Sequence, residues 1–178
     1  MNAGVNIDSL RSAVSGLTSF TMELWLKPAA SGNLQVLWSG DTQNYIQFPV
    51  SGNGLLLEFG GTGNIVWQKN NFFTLGSWQH VAFVFDGNQA SANRWKIYKD
   101  GVLVTPDTVS AMSASIAALA GQMLLGAWSG GGYNYNGQMD DARFWNRALC
   151  ADEIQAHLNC ELLGNEAGLL AYYKFNQG

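Results

Sequence analysis

A chain of 178 residues is long enough for one domain that buries roughly 70% of the surface its unfolded form exposes, so neither metals nor many disulfides are needed to complete a core. Only 12% of its residues are charged, against ~25% in an ordinary soluble domain, and 21 Gly together with Asn, Gln, Ser and Thr supply the polarity expected of an extracellular β protein. The net charge of −4, with nine scattered Lys and Arg, excludes a phosphate-neutralising stripe and with it nucleic acid. No apolar run approaches the ~18 residues of a membrane span, which argues against membrane insertion, and a secretory leader is expected to lie outside this stretch.

Alternation of apolar and polar residues recurs between turn signals along almost the whole chain. Phe20-Thr21-Met22-Glu23-Leu24-Trp25-Leu26 places Phe20, Met22, Leu24 and Leu26 on a core face and Thr21, Glu23 and Trp25 on an exposed sheet surface. Val36–Trp38, Tyr45–Phe48 and Leu55–Phe59 are short strands closed by Ser-Gly-Asp, Pro49 and Gly-Gly. Trp78–Phe85 points Val81, Phe83 and Phe85 inward and stops at Asp86-Gly87, while Trp95–Tyr98 runs through Asp100-Gly101 into Val102–Val104 at hairpin spacing. Met123–Leu125, Met139–Trp145 and Leu169–Phe175 complete the set, and the Ala- and Ser-rich run from Ser110 to Ala120 lacks the apolar stripe of a helix. One helical period remains, near residues 151–158. The expected fold is all-β: a single domain over 1–178, built as a two-sheet antiparallel jelly-roll sandwich of about eleven or twelve strands with that one short helix.

Cys150 and Cys160 bracket the helical segment and would close a loop of about ten residues. A disulfide agrees with the low-charge, exported composition; the alternative is two separate free thiols.

Four stretches carry a family resemblance: Phe20-Thr21-Met22-Glu23-Leu24-Trp25; Trp78-Gln79-His80-Val81-Ala82; Ile97-Tyr98-Lys99-Asp100-Gly101; and Gly137 to Leu149 followed by Asp152-Glu153-Ile154. Together with the tail from Gly168 to Gly178, they resemble the laminin-G-like, concanavalin A-like jelly roll and its pentraxin cousins, as found in secreted and surface proteins of Bacteroidetes-type bacteria. The resemblance implies an extracellular or cell-surface binding module, often attached to adhesins or polysaccharide-degrading enzymes. The pentraxin calcium site does not carry over, because the loop matching its carboxylates reads Ala127 to Asn136 without one. The pentraxin half-cystines are likewise replaced, by Glu23 and Ala82.

Catalysis finds little footing in these residues. A glycosidase needs two carboxylates ~5–9.5 Å apart, and no strand carries acids at i and i+2. Asp140 and Asp141 are adjacent and point to opposite faces, so a structural role is expected, with Arg143 as ion-pair partner of Asp141. His80 is expected on a sheet face beside Trp25 as an ordinary packed or solvated residue, and Trp78 and Trp145 are expected to pack at strand ends. Glycan binding fits better, because sugars offer a flat C–H face and a rim of hydroxyls. Trp128, Tyr133, Asn134, Tyr135 and Asn136 lie on a Gly-rich loop, and Asp41, Asn44 and Tyr45 follow a turn expected at the same edge. No cofactor is required; Asp41 with Asn44 is the local oxygen group through which a rim Ca²⁺ could bind. The expected partner is a glycan or cell-surface ligand. The alternatives are a protein-binding or spacer module of an adhesin and, third, a fragment of a glycan-degrading enzyme.

Overall fold

The computed structural model describes residues 4–30, 33–49, 52–61 and 63–176; the last two residues of the tail motif, 177 and 178, lie outside them. The described residues form thirteen strands in two antiparallel sheets. The seven-stranded sheet runs β1 (Val5–Asn6), β11 (Leu124–Leu125), β3 (Gln35–Ser39), β4 (Tyr45–Phe48), β5 (Leu55–Glu58), β6 (Ile65–Lys69) and β10 (Thr108–Val109). The six-stranded sheet runs β13 (Leu169–Tyr173), β12 (Gly137–Trp145), β2 (Ser19–Pro28), β7 (Gln79–Asp86), β8 (Trp95–Lys99) and β9 (Val102–Leu103). Between them lies one apolar core in which Phe20, Met22, Leu24 and Leu26 of β2 meet Val81, Phe83 and Phe85 of β7 and Ile46, Phe48, Leu55 and Leu57 of β4 and β5. This is the expected jelly-roll sandwich. The Asp100-Gly101 turn between β8 and β9 has both residues at positive φ, 50° and 77°, the twist that a two-residue hairpin requires.

Strands β1 and β10 and the single-turn helix α1 (Arg11–Val14) add to what the sequence pattern indicates. Both strands have two residues each, too short to display a period. Helix α2 (Ala151–His157) falls where expected, its first turn held by the Glu153 carboxylate, which accepts the Cys150 N–H at 2.9 Å.

The outer face of the six-stranded sheet departs from expectation. Thr21 and Glu23 are fully buried, because the segment following β12, with α2 at its centre, folds back across them. A second apolar cluster, including Ala82, Val84, Trp145, Leu149, Ile154 and Leu162, seals that segment to the sheet. Polar pins hold it. The Arg143 guanidinium, itself buried, donates from Nη1 to the His157 carbonyl at 3.0 Å and from Nη2 to the Cys160 carbonyl at 2.9 Å. The Glu23 carboxylate accepts Trp145 Nε1–H at 3.1 Å and His157 Nδ1–H at 2.8 Å, with Arg143 Nη1 3.7 Å away.

The expected disulfide is not formed: Cys150 and Cys160 are free, exposed thiols. Helix α2 explains why. Cys150 caps the N-terminus of α2 and Cys160 lies three residues beyond His157 at its other end; seven helical residues at 1.5 Å each advance the chain about 10 Å, so it would have to double back along the helix to bring the two within the ~7 Å limit between bridged Cα atoms. Trp78 also departs from its expected packing, being 42% exposed, whereas Trp145 is buried as expected.

Candidate functional site

The outer face of the seven-stranded sheet carries the candidate site. Strand alternation sends Ile46 and Phe48 of β4 into the core and turns Tyr45 and Gln47 outward, where they pair across the sheet with Glu58 and Leu56 of β5. On the other side Val36 of β3 stands opposite Gln47. Glu58 is almost wholly buried and organises this floor: it accepts Tyr45 Oη–H at 2.8 Å, Gln47 Nε2–H at 2.5 Å and the Gly63 N–H at 2.6 Å.

The loop between β11 and β12 supplies the wall. It is tied down along its length: Val36 N–H donates to the Tyr133 carbonyl at 2.8 Å, Tyr135 N–H to the Gly126 carbonyl at 2.9 Å, and Asn136 N–H to Gln35 Oε1 at 2.8 Å. The Trp128 and Tyr133 rings lie 5.6 Å apart, and Tyr45 meets Trp128 edge-on at 6.4 Å. Leu34, Val36, Tyr45, Gln47, Trp128 and Tyr133 enclose a largely apolar cavity of about 200 Å³. Gly130 is integral to it, because the Trp128 ring lies where a side chain would start: a Cβ there would sit 2.5 Å from Cη2 and 2.7 Å from Cε3.

Of the residues expected at the site, Trp128, Tyr133 and Tyr45 come together. Tyr135 does not join them. It is a core residue, 5% exposed and packed against Phe48, and burial pushes its phenol pKa above the ordinary value. The cause is local: Tyr133 has a left-handed backbone with φ 51°, so the two tyrosines do not share a face as strand neighbours two apart would. Asn134 and Asn136 are exposed beside the cavity without lining it.

Asp41 and Asn44 form a turn brace. Asp41 Oδ1 accepts the Gln43 N–H and Asn44 Nδ2–H, both at 2.8 Å, its Oδ2 accepts the Ala120 N–H at 3.0 Å, and Asn44 Oδ1 accepts the Gly60 N–H at 3.0 Å. With these oxygens already engaged, neither side chain presents a ready calcium ligand. Among the described residues no group of three or more His, Cys, Asp or Glu is arranged to hold a metal ion.

The sequence reading missed Leu34, Val36, Gln47 and Glu58. One signal was present: Gln47 stands two residues from Tyr45, and Glu58 ends the apolar run Leu55-Leu56-Leu57, so the outward face of both strands carries hydrogen-bonding groups.

Elsewhere the acidic pair behaves structurally. Asp141 lies 3.4 Å from Arg143 Nη2 and accepts Tyr172 Oη–H at 2.7 Å, while Asp140 Oδ1 accepts the Asp141 N–H at 2.9 Å. His80 meets Trp25 edge-on at 5.5 Å, and burial lowers its pKa to about 4.

A two-sheet sandwich with an aromatic-walled cavity on one outer sheet face is a lectin-type architecture, and sequence comparison agrees. Residues 2–155 match the laminin-G family described as the concanavalin A-like lectin/glucanases superfamily, and the chain belongs to that superfamily. No curated protein matches it. Among solved structures it is similar to a candidate carbohydrate-binding protein of Bacteroides ovatus, with TM-score 0.71 and 16% identity over 90% of this chain and 46% of that one. It is also similar to the heptameric SAP-like pentraxin of Limulus polyphemus, with TM-score 0.62 and 18% identity over 84% and 74% of the two chains. A third likeness is to the CBM40 of the Ruminococcus gnavus IT-sialidase bound to α2,3-sialyllactose, with TM-score 0.63 and 16% identity over 87% and 91%. At these identities the likeness concerns the fold. The chain spans about half the length of the Bacteroides protein.

Proposed function

We propose that residues 1–178 act as one non-catalytic, glycan-binding module of a secreted or surface protein, with the cavity between Trp128, Tyr133 and β4 as its binding site. The observation that carries this reading is the combination in one place of aromatic rings, a largely apolar lining and a hydrogen-bonded carboxylate–amide pair, Glu58 and Gln47. Sugars need those three components together. Related folds described as carbohydrate-binding support it. A non-catalytic role is favoured because Glu58, the carboxylate beneath the cavity, is engaged by three donors, and hydrolysis requires a second acid ~5–9.5 Å away. Among the described residues no helix is long and apolar enough to cross a membrane.

A glycan array, run with calcium and again with chelator, tests the reading. Binding is expected in both conditions. Trp128→Ala and Tyr133→Ala should weaken retention on the preferred glycan by about tenfold, ~1.4 kcal/mol, while leaving the melting temperature within a few degrees. Unchanged binding in both variants would sink the assignment of the site.

A second reading, a protein-binding or spacer module, draws on a different surface. Val102 and Leu103 of edge strand β9 are 67% and 54% exposed, and an exposed apolar edge is a pairing surface. Failure on every glycan would favour it.

A further inference from the structure

We infer that the cavity selects its sugar through an acetamido group, an inference that rests on the glycan-binding reading above. Two residues lining the cavity each carry a buried polar atom without a hydrogen-bond partner: Oε1 of Gln47 and Nε1 of Trp128. Chemistry assigns their roles. The Glu58 carboxylate accepts hydrogen bonds and takes Nε2–H of Gln47, so the oxygen is what Gln47 has left to offer. The indole nitrogen can only donate. A buried donor or acceptor left unpaired is costly, so these atoms favour a ligand that brings one N–H and one carbonyl oxygen.

The remaining wall is apolar, formed by Leu34, Val36 and the rings of Tyr45 and Tyr133. A hydroxyl provides donor and acceptor on a single atom and does nothing for that wall. An acetamido group sets its N–H and C=O on opposite sides of a planar amide and adds a methyl that belongs against Leu34 and Val36. Neither unpartnered atom is open to water in this arrangement, so part of the wall must move for a sugar to reach them, and on this inference the Trp128 ring is the part that turns. The ring is well placed to turn, being carried on a loop in which Gly130, Gly131 and Gly132 follow it closely. Its displacement makes Trp128 a reporter of the event.

The test is calorimetric titration, with tryptophan fluorescence alongside, of matched sugars that differ at C2 in carrying an acetamido group or a hydroxyl. Chitotriose against cellotriose and N-acetylgalactosamine against galactose are suitable pairs. The wild type is expected to prefer the acetamido member by about tenfold or more, with a fluorescence change on binding. Trp128→Phe keeps a flat ring and removes the N–H, and it should reduce the preference to within about threefold while the melting temperature stays within a few degrees. An N-acetyllysine peptide, which carries the group without a sugar, is expected not to bind. Equal binding of both members of each pair would overturn the inference and leave the glycan-binding reading standing, as would a preference undiminished in Trp128→Phe or peptide binding equal to that of the sugar. Absence of binding to every matched sugar and to every glycan on the array would remove the underlying reading itself.

Discussion

Replacing Arg143 by Met tests whether the segment around α2 is pinned to the sheet by polar contacts or merely rests on apolar ones. Met keeps much of the aliphatic stem and removes the guanidinium. Two charge-assisted hydrogen bonds to backbone carbonyls, at 3.0 and 2.9 Å, are lost together. The Glu23 carboxylate, fully buried, also loses the positive charge 3.7 Å from its oxygen. Removing one partner of a buried ion pair typically destabilises by about 3–5 kcal/mol, because the other charge stays buried. For a chain of this length each kcal/mol shifts melting by roughly 2–4 °C, so a fall of about 6–20 °C is expected. Urea denaturation followed by tryptophan fluorescence measures the loss, and hydrogen exchange of the α2 amides shows whether the segment loosens first. Adding Glu23→Gln to Arg143→Met should cost less than the sum of the two single changes by more than about 1 kcal/mol, as expected for groups in one network. A variant within about 1 kcal/mol of wild type, with α2 protection unchanged, would refute the argument.

The pH response follows from His80, whose pKa falls from 6.5 to about 4 through burial, with Glu23 opposing the shift and Arg143 reinforcing it. The unfolded chain therefore takes up a proton near pH 6.5 that the folded chain refuses until about pH 4. Stability should rise with pH across that window, by on the order of 3 kcal/mol in total, and fall as pH drops through it; His80→Gln should flatten this part of the profile in pH-dependent urea titrations. Gly130→Ala places a methyl against the Trp128 ring and should weaken glycan retention severalfold with little change in melting, whereas unchanged retention would show that the ring position is irrelevant. Both cysteines should react with a thiol reagent in the native, unreduced protein, and a titre of zero would restore the disulfide.

Much of the sandwich was legible because its signal is local. In β2 the inward set of Phe20, Met22, Leu24 and Leu26 follows from period two alone, and all four are fully or almost fully buried. The other face of the same strand was read as exposed, since alternation cannot say what covers a face. Its cover is supplied by residues more than 120 positions later, such as Arg147, whose carbonyl accepts Thr21 Oγ1–H at 2.8 Å. The site divides in the same way. Trp128 and Tyr133 stood out as aromatics on a Gly-rich loop, whereas Gln47 and Glu58 looked like ordinary strand residues until pairing of β4 with β5 placed one beside the other. Tyr135 was misassigned because its spacing from Tyr133 implies a shared face only where the backbone is extended, and at Tyr133 it is not.

That local departure also bears on how the site works. Tyr133 in the left-handed region costs roughly 1 kcal/mol, and a tyrosine keeps such a conformation only where the surroundings over-determine it. Here they do: its carbonyl accepts from Val36, Asn134 bridges the same residue, and Asn136 is held by the Gln35 side chain. Folding therefore bears the entropy of ordering this backbone, and a ligand need not supply it again. What remains adjustable is the Trp128 ring, which lies across Gly130 without a backbone tie of its own side chain. A fixed wall with one movable ring means that selectivity should respond to changes at Trp128 and Gly130, while substitutions that cut the ties to β3 should weaken all sugars alike.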